Sequence, residues 1–231
     1  MDDEYCYEPS FAEIPTDVGQ RWTLLREFVA KWHGLDIPIV RDCERIASRH
    51  EQAIGQSLTY PLREWAAFGQ GLVDLDAFNR VLRDEFDISR ISRLNATTLM
   101  IQGEGDVYWG IVDANADSLD PPVEHFSRDF DAGLWRFTDQ ASSSLTSFVL
   151  SHMAYFLGTG FVRTRDVDEQ LISEMQDTFP VFSDFDGLLI FEMPNLISFV
   201  RRRSGYNTLI VARRNSLPKS EMPDCLQRMH P

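Results

Sequence analysis

Cysteine is scarce in this chain. Cys6, Cys43 and Cys225 stand far apart with no Cys-x-x-Cys pair, which argues against a disulfide framework or a zinc site and predicts a reducing compartment. Long apolar runs are missing too. Gly187 to Phe191 is typical, far short of the roughly 20 residues that span a bilayer. The opening Met1-Asp2-Asp3-Glu4 is acidic and has no apolar core, so no secretory signal is expected there. Basic charge is in deficit, with 22 Lys and Arg against 36 Asp and Glu and a formal net charge of −14. That balance weighs against nucleic acid and anionic membrane as partners. The predicted setting is cytoplasmic, and the predicted partner is a protein with a basic surface, although acidity also serves solubility.

Catalytic motifs are equally thin. His33, His50, His125, His152 and His230 are scattered, with no His-x-His and no Glu-x-x-His pair. His152, on an apolar helix face, reads as a hydrogen-bonded core histidine. There is no Gly-x-Ser-x-Gly elbow, and Gly103-x-Gly105 lacks the third glycine and following helix of a dinucleotide cradle. Asp113-x-Asn115-x-Asp117 with Glu124 at the twelfth position has calcium-loop spacing. Ser118 stands where such a loop wants Gly, Pro121 and Pro122 stiffen its second half, and strands flank it, so a polar turn is expected. Asp184-Phe-Asp186-Gly187 is similar to the first motif of haloacid-dehalogenase-type phosphatases, where an Asp ending a strand is the nucleophile. Leu188 replaces the usual Thr, and too little chain follows for the rest of such a domain, so a turn opening a strand is the preferred reading. No catalytic, cofactor-binding or metal-ligating residue is predicted. Arg201-Arg202-Arg203 is the one basic cluster, expected on an exposed sheet edge guarded by charge, with an anion or acidic-partner site as the second reading.

What is present is a well-filled globular composition, 43% apolar and 12% aromatic, enough for a sizeable core. Residues 1–18 read as an acidic flexible tail. Trp22, Leu25, Val29 and Trp32 fall at helical spacing up to Gly34, and both tryptophans are expected in the core. Ile39, Cys43, Ile46, Ala47 and Ile54 mark a second helix ending at Gly55, with Cys43 a buried thiol. A third helix follows Thr59, with Pro61 in its first turn and Leu62, Trp65, Ala66 and Phe68 on one face. Asp74 is expected to cap a short helix bearing Leu75, Phe78 and Leu82. The period then changes: Phe86–Ile91, Thr97–Ile101, Val107–Val112, Val123–Phe126 and Leu134–Phe137 read as strands joined by short turns, an antiparallel meander. Trp65, Trp109 and Trp135 are expected in the core with their indole N–H groups satisfied. Ser142–Ser144 opens a helix through Leu145, Phe148, Val149, His152 and Phe156 to Gly158 and Gly160. Asp166 with Glu169 predicts a helix start for Leu171, Ile172 and Met175. Leu188–Phe191, Leu196–Val200 and Thr208–Val211 read as further strands, with the last turn at residues 203–207. The fold class is α+β: a helical N-terminal third, an antiparallel meander packed with several helices, and a C-terminal extension with extra strands. The expected segments are 19–160 for the main domain, 161–214 for a helix and strands packed on it, and 215–231 for an irregular tail. Whether residues 160–231 form a subdomain or complete the main sheet stays open, as does the oligomeric state.

Several pieces in order resemble one family. Glu51-x-x-Ile54-Gly55-x-x-Leu58, then Pro61-Leu62-Arg63-Glu64-Trp65 and Phe68-Gly69, look like the opening of the SUKH superfamily, the Smi/Knr-like domains. The hairpin with Trp109-Gly110, the step Asp120-Pro121-Pro122-Val123, Trp135 ahead of a strand, and Ser144-Leu145-x-x-Phe148-Val149-Leu150 follow in the family's order. The resemblance covers residues 38 to 157, about half of the chain. Thr59-Tyr60 before Pro61 departs from it, since the family usually sets Leu against Pro. The resemblance implies an α+β domain without a shared catalytic constellation. Its bacterial members commonly act as immunity proteins that bind and block a toxin, often a nuclease or deaminase, and others are intracellular adaptors. An acidic occluding surface is expected on the meander and its turns, at Glu104, Asp106, Asp113 and Asp117.

Overall fold

Asp17 starts the first helix. Its side chain accepts the Gln20 backbone N–H at 2.9 Å, satisfying a donor that has no partner within the helix. Helix α1 (Val18–Phe28) continues into a wider π-helical turn (Val29–His33) and stops at Gly34, whose φ of 67° suits glycine. The stripe of Trp22, Leu25, Val29 and Trp32 is buried. The computed structural model describes residues 9–37, 43–102, 105–129, 133–155, 157, 162–203, 206–213 and 217–228. They form two compact units. One is Asp17–Phe156; the other joins Met1–Thr16 to Leu157–Pro231. The fold is α+β with two antiparallel sheets, helices gathered toward the N-terminal part and extra strands in the C-terminal part.

In the first unit, α2 (Cys43–Ile54) and α3 (Tyr60–Asp74) follow α1. Leu62, Trp65, Ala66 and Phe68 of α3 are buried, and the Trp65 indole N–H donates to the Leu99 carbonyl at 3.1 Å. That bond satisfies the indole and pins the helix to the sheet. Two expectations fail here. Cys43 is exposed, because α2 buries only Ile46 and Ala47. Asp74 is the last residue of α3 and accepts from Gln70 at 2.7 Å, while Leu75 is 39% exposed and the short helix α4 is Phe78–Val81. Ile39 lies outside the described residues.

The first sheet contains β1 (Glu85–Phe86), β2 (Arg90–Ile91), β3 (Ala96–Gln102), β4 (Val107–Val112), β5 (Val123–Asp129) and β6 (Leu134–Ser142). Its order is β1-β3-β4-β5-β6, with β2 also on β3, so the predicted meander is present. The alternating run from Phe86 to Ile91 is split into two short strands. Between them the Asp87 carboxylate accepts the hydroxyls of Ser89 (2.6 Å) and Thr98. Helix α5 (Leu145–Tyr155) is buried on nearly every side. Its N-terminus is held from a distance: Asp120 accepts the Thr146 backbone N–H at 2.9 Å and its hydroxyl, and pairs with Arg21 of α1 at 2.8 Å.

The second unit has its own sheet, in the order β7-β11-β10-β9-β8. The strands are β7 (Val162–Val167), β8 (Val181–Phe185), β9 (Leu188–Met193), β10 (Leu196–Arg203) and β11 (Tyr206–Arg213), with α6 (Glu169–Thr178) between β7 and β8. Ile172, Met175 and Phe179 pack with Leu189, Phe191, Val200 and Leu209. Asp168, not Asp166, caps α6, accepting the Leu171 N–H at 2.9 Å, and Asp166 lies in β7. Residues 217–228 are not irregular: Leu217, Met222, Cys225 and Leu226 are buried around α7 (Asp224–Gln227). The composition predicts a flexible tail to residue 18, yet Phe11 is wholly buried and α1 begins at Val18.

Candidate protein-binding surface

Strand β6 is the edge of the first sheet and is exposed along most of its nine residues. Its pairing with β5 shifts register twice, between Val123 and Glu124 and between His125 and Phe126. Bulges of this kind twist an edge and blunt pairing with other chains. They spare the first part of the strand. Leu134 to Phe137 stays in regular register with Asp129 to Phe126, and this stretch carries Leu134 at 47% and Phe137 at 56% exposure. Beside it a small aromatic cluster, with Tyr108 and Phe126 buried, lines one face of the sheet. Tyr108 meets Trp135 edge-on at 4.6 Å, Phe126 meets Phe137 at 6.3 Å, and Arg128 lies over the Trp135 ring at 5.6 Å. Gly110 is required in that cluster. A Cβ there would lie 2.5 Å from the Thr97 carbonyl oxygen and 3.2 Å from the Phe126 ring.

The meander separates the acidic residues singled out in the sequence. Asp106 is exposed in the β3–β4 turn, and its carbonyl accepts the Arg128 backbone N–H at 2.9 Å. That turn lies at the same end of the sheet as the start of β6. Glu104 lies outside the described residues. Asp113 and Asp117 follow β4 and sit at the opposite end, about 20 Å away by the rise of a six-residue strand. Asp117 is exposed. The Asp113 carboxylate is engaged by Arg90, which grips both oxygens at 2.6 and 2.5 Å. This bidentate pair raises the Arg90 pKa, hydrogen bonding being the main cause. Nothing in the sequence spacing links Arg90 to Asp113; the pairing depends on β2 and β4 flanking β3. Glu124, the twelfth position of the calcium-like spacing, is buried on β5, and burial followed by the charge of Asp139 raises its pKa. No group of three or more His, Cys, Asp or Glu among the described residues is placed to hold a metal ion.

On the sheet's other face, Trp109 lies between two histidines. His125 stacks on it at 6.1 Å and His152 meets it edge-on at 5.2 Å. His125 Nδ1 is 2.8 Å from Asp139. A His–Asp pair is the base and orienting half of a hydrolytic triad. Here His125 Nε2 is buried without a hydrogen-bond partner among the described residues. His152 sits as the sequence predicts, its Nδ1 3.3 Å from the Phe148 carbonyl and its Nε2 4.0 Å from Asp84. Burial pushes the Asp84 carboxyl up to about 6.

In the second unit, Asp184 closes the β8–β9 hairpin by accepting the Gly187 N–H at 2.8 Å, with φ of 52° at Asp186 and 86° at Gly187. Positive φ at two successive turn residues is the geometry that matches the twist of a hairpin. Arg201 to Arg203 lie on β10, an interior strand paired with both β9 and β11. The expected exposed edge is therefore corrected, and Arg202 pairs with Glu169 at 2.9 Å. No helix among the described residues is long and apolar enough to cross a membrane. No protein-family model matches the chain, and no curated protein or solved structure matches it.

Proposed function

We propose that the chain is a non-enzymatic protein-binding domain that docks a basic partner on the β6 edge of the first sheet. The observation that carries this reading is the exposed, regularly paired stretch Leu134–Phe137 at a sheet edge beside the acidic Asp106 turn. An edge strand offers unpaired backbone N–H and C=O groups to an added strand. Leu134 and Phe137 supply apolar anchors, and the carboxylates supply a field that speeds encounter with a cationic surface. The net charge of −14 supports the same sign of partner.

Combined with the SUKH-like order of motifs in residues 38 to 157, the partner we favour is a nuclease- or deaminase-like toxin domain. Such an enzyme must hold nucleic-acid phosphate in a basic cleft. An acidic binder then blocks it by occupying that cleft. The same edge would serve a regulatory adaptor equally well, so the experiment has to identify the partner. Tagged protein is used to capture partners at low salt, beside a Leu134→Glu, Phe137→Ser variant. The expected result is one basic protein at stoichiometric amount, lost with the variant. Its retention by the variant would remove the β6 edge from the reading, and a partner that is not basic would remove the toxin.

A further inference from the structure

Strand β5 buries Glu124. The residue is 8% exposed, and its Oε2 is buried with no hydrogen-bond donor among the described residues. A buried carboxylate is costly unless donors or an opposite charge surround it. Burial, followed by the negative charge of Asp139 on β6, raises its pKa. The neighbours in the sheet do not relieve it. Opposite Glu124 on β4 stands Gly110, which has no side chain to offer. Opposite it on β6 stands Gln140, whose side-chain amide donates to the Ser142 carbonyl at 3.1 Å. We propose that Glu124 is the receptor for a guanidinium group, an arginine side chain of the basic partner that docks on β6. The assignment rests on docking at the β6 edge, and it names the residue such a partner must present.

Charge sets the sign of the ligand. A cation at Glu124 offsets both the lost hydration of the carboxylate and its repulsion by Asp139. Position sets its route. Alternate residues of a strand share a face, so Glu124 lies beside Phe126, and Phe126 meets the exposed Phe137 of β6 at 6.3 Å. A group that reaches Glu124 from the edge passes beside the Phe137 ring, and a guanidinium is attracted to an aromatic face. Reach sets its length. Neighbouring strands are about 4.8 Å apart, so a strand added to β6 runs roughly 10 Å from β5. A long side chain with a terminal charge crosses that interval, and arginine presents paired donors to a carboxylate. The two register shifts of the β5–β6 pair fall on either side of Glu124 and His125, and bulges re-aim the side chains beside them. One end of β6 therefore offers regular backbone to an added strand, and the bulged end offers a carboxylate to its side chain. His125 points to the other face, where it stacks on Trp109 and pairs with Asp139 at 2.8 Å, so it stays clear of this ligand.

The test uses the full chain and N-acetyl-arginine methylamide as probe, beside N-acetyl-citrulline methylamide, its uncharged analogue of nearly the same shape. The backbone amide signals of Gly110 and Gln140 report on the site. In wild type the arginine probe should shift both saturably, with a midpoint on the order of millimolar. The citrulline probe should bind about tenfold more weakly or less, and Glu124→Gln should lose about tenfold or more of the arginine affinity. Equal midpoints for the two probes in wild type, or no saturable shift, would overturn the proposal, and that comparison needs neither a variant nor a partner. The captured partner supplies the second arm, in which Glu124→Gln should weaken binding by about tenfold or more. A partner lost with Leu134→Glu, Phe137→Ser but held in full by Glu124→Gln would remove Glu124 and leave docking at β6 intact. Binding of the arginine probe at Glu124 with no basic protein captured would support the guanidinium site and count against the docked partner.

Discussion

Asp84 and His33 are titratable groups of the first unit that burial moves in opposite directions. Asp84 rises from 3.8 to about 6, burial being the main cause and Arg83 opposing it. The native chain then holds this proton more tightly than the unfolded chain, so the contribution grows as pH falls from 6 toward 4 and is lost as pH rises through 6. His33 drops from 6.5 to about 4 through burial, with the Met153 carbonyl opposing and Arg80 assisting. Here the unfolded chain takes the proton first, so the contribution is present above 6.5 and is lost as pH falls toward 4. Each shift is worth at most about 3 kcal/mol, and the two slopes nearly cancel. Asp84→Asn should therefore steepen the acid loss of stability, and His33→Gln should flatten or reverse it, in urea midpoints taken between pH 4 and 7. Parallel profiles for wild type and Asp84→Asn would show that the carboxyl does not feel its burial. Gly69 makes a second test at this scale. A Cβ there would lie 2.3 Å from the Phe86 ring, and that ring is already in contact with Trp65, Phe78 and His50. Gly69→Ala should cost about 1–3 kcal/mol, partly recovered by Phe86→Leu in the same chain, as read from thermal midpoints.

Between elements, Asp120 is the joint. It holds Arg21 of α1 and both the N–H and hydroxyl of Thr146 at the start of α5, largely out of water. Asp120→Ala should cost about 2–4 kcal/mol. The Arg21→Ala, Asp120→Ala double variant should fall short of the sum by about 1 kcal/mol or more in a denaturant cycle. Additive losses would mean the two side chains act separately. The sequence flags Asp120 only as a step into two prolines, because its partners lie 99 and 26 residues away. The same limit decides what could be read elsewhere. Helix α3 announces itself through its 3.6 period, and strands β3 to β6 through β-branched and apolar runs set between polar turns. Strand β7, Val-Arg-Thr-Arg-Asp-Val, has little apolar pattern and owes its conformation to β11, some forty residues on. Arg201 to Arg203 suggest an edge only until the strand order puts β10 in the middle. Four-residue α7 is too short to show a period, and a single Phe11 in a polar segment has none. For the candidate surface, the charges of Asp106, Asp113 and Asp117 were legible. Their division between two ends of the sheet, and the capture of Asp113 by Arg90, depend on pairing that no local pattern encodes.

At the scale of the whole molecule, a net charge of −14 attracts a basic partner from any direction, so local effects appear only where salt confines the field. The Debye length is about 8 Å at 0.15 M and about 30 Å at 0.01 M. Asp106 flanks the β6 edge, whereas Asp117 is about 20 Å off along β4, more than two screening lengths at the higher salt. If docking occurs at Leu134–Phe137, Asp106→Lys should slow association with the captured basic partner by about threefold to tenfold at 0.15 M. Asp117→Lys should change that rate little. In 0.01 M salt the two reversals should converge, because the longer screening length lets the partner sense both ends. Stopped-flow association at the two salt concentrations separates the cases. Equal slowing at 0.15 M would require a partner that contacts both ends of the meander. No slowing by either reversal, at either salt, would leave the acidity to solubility and take the encounter away from this sheet.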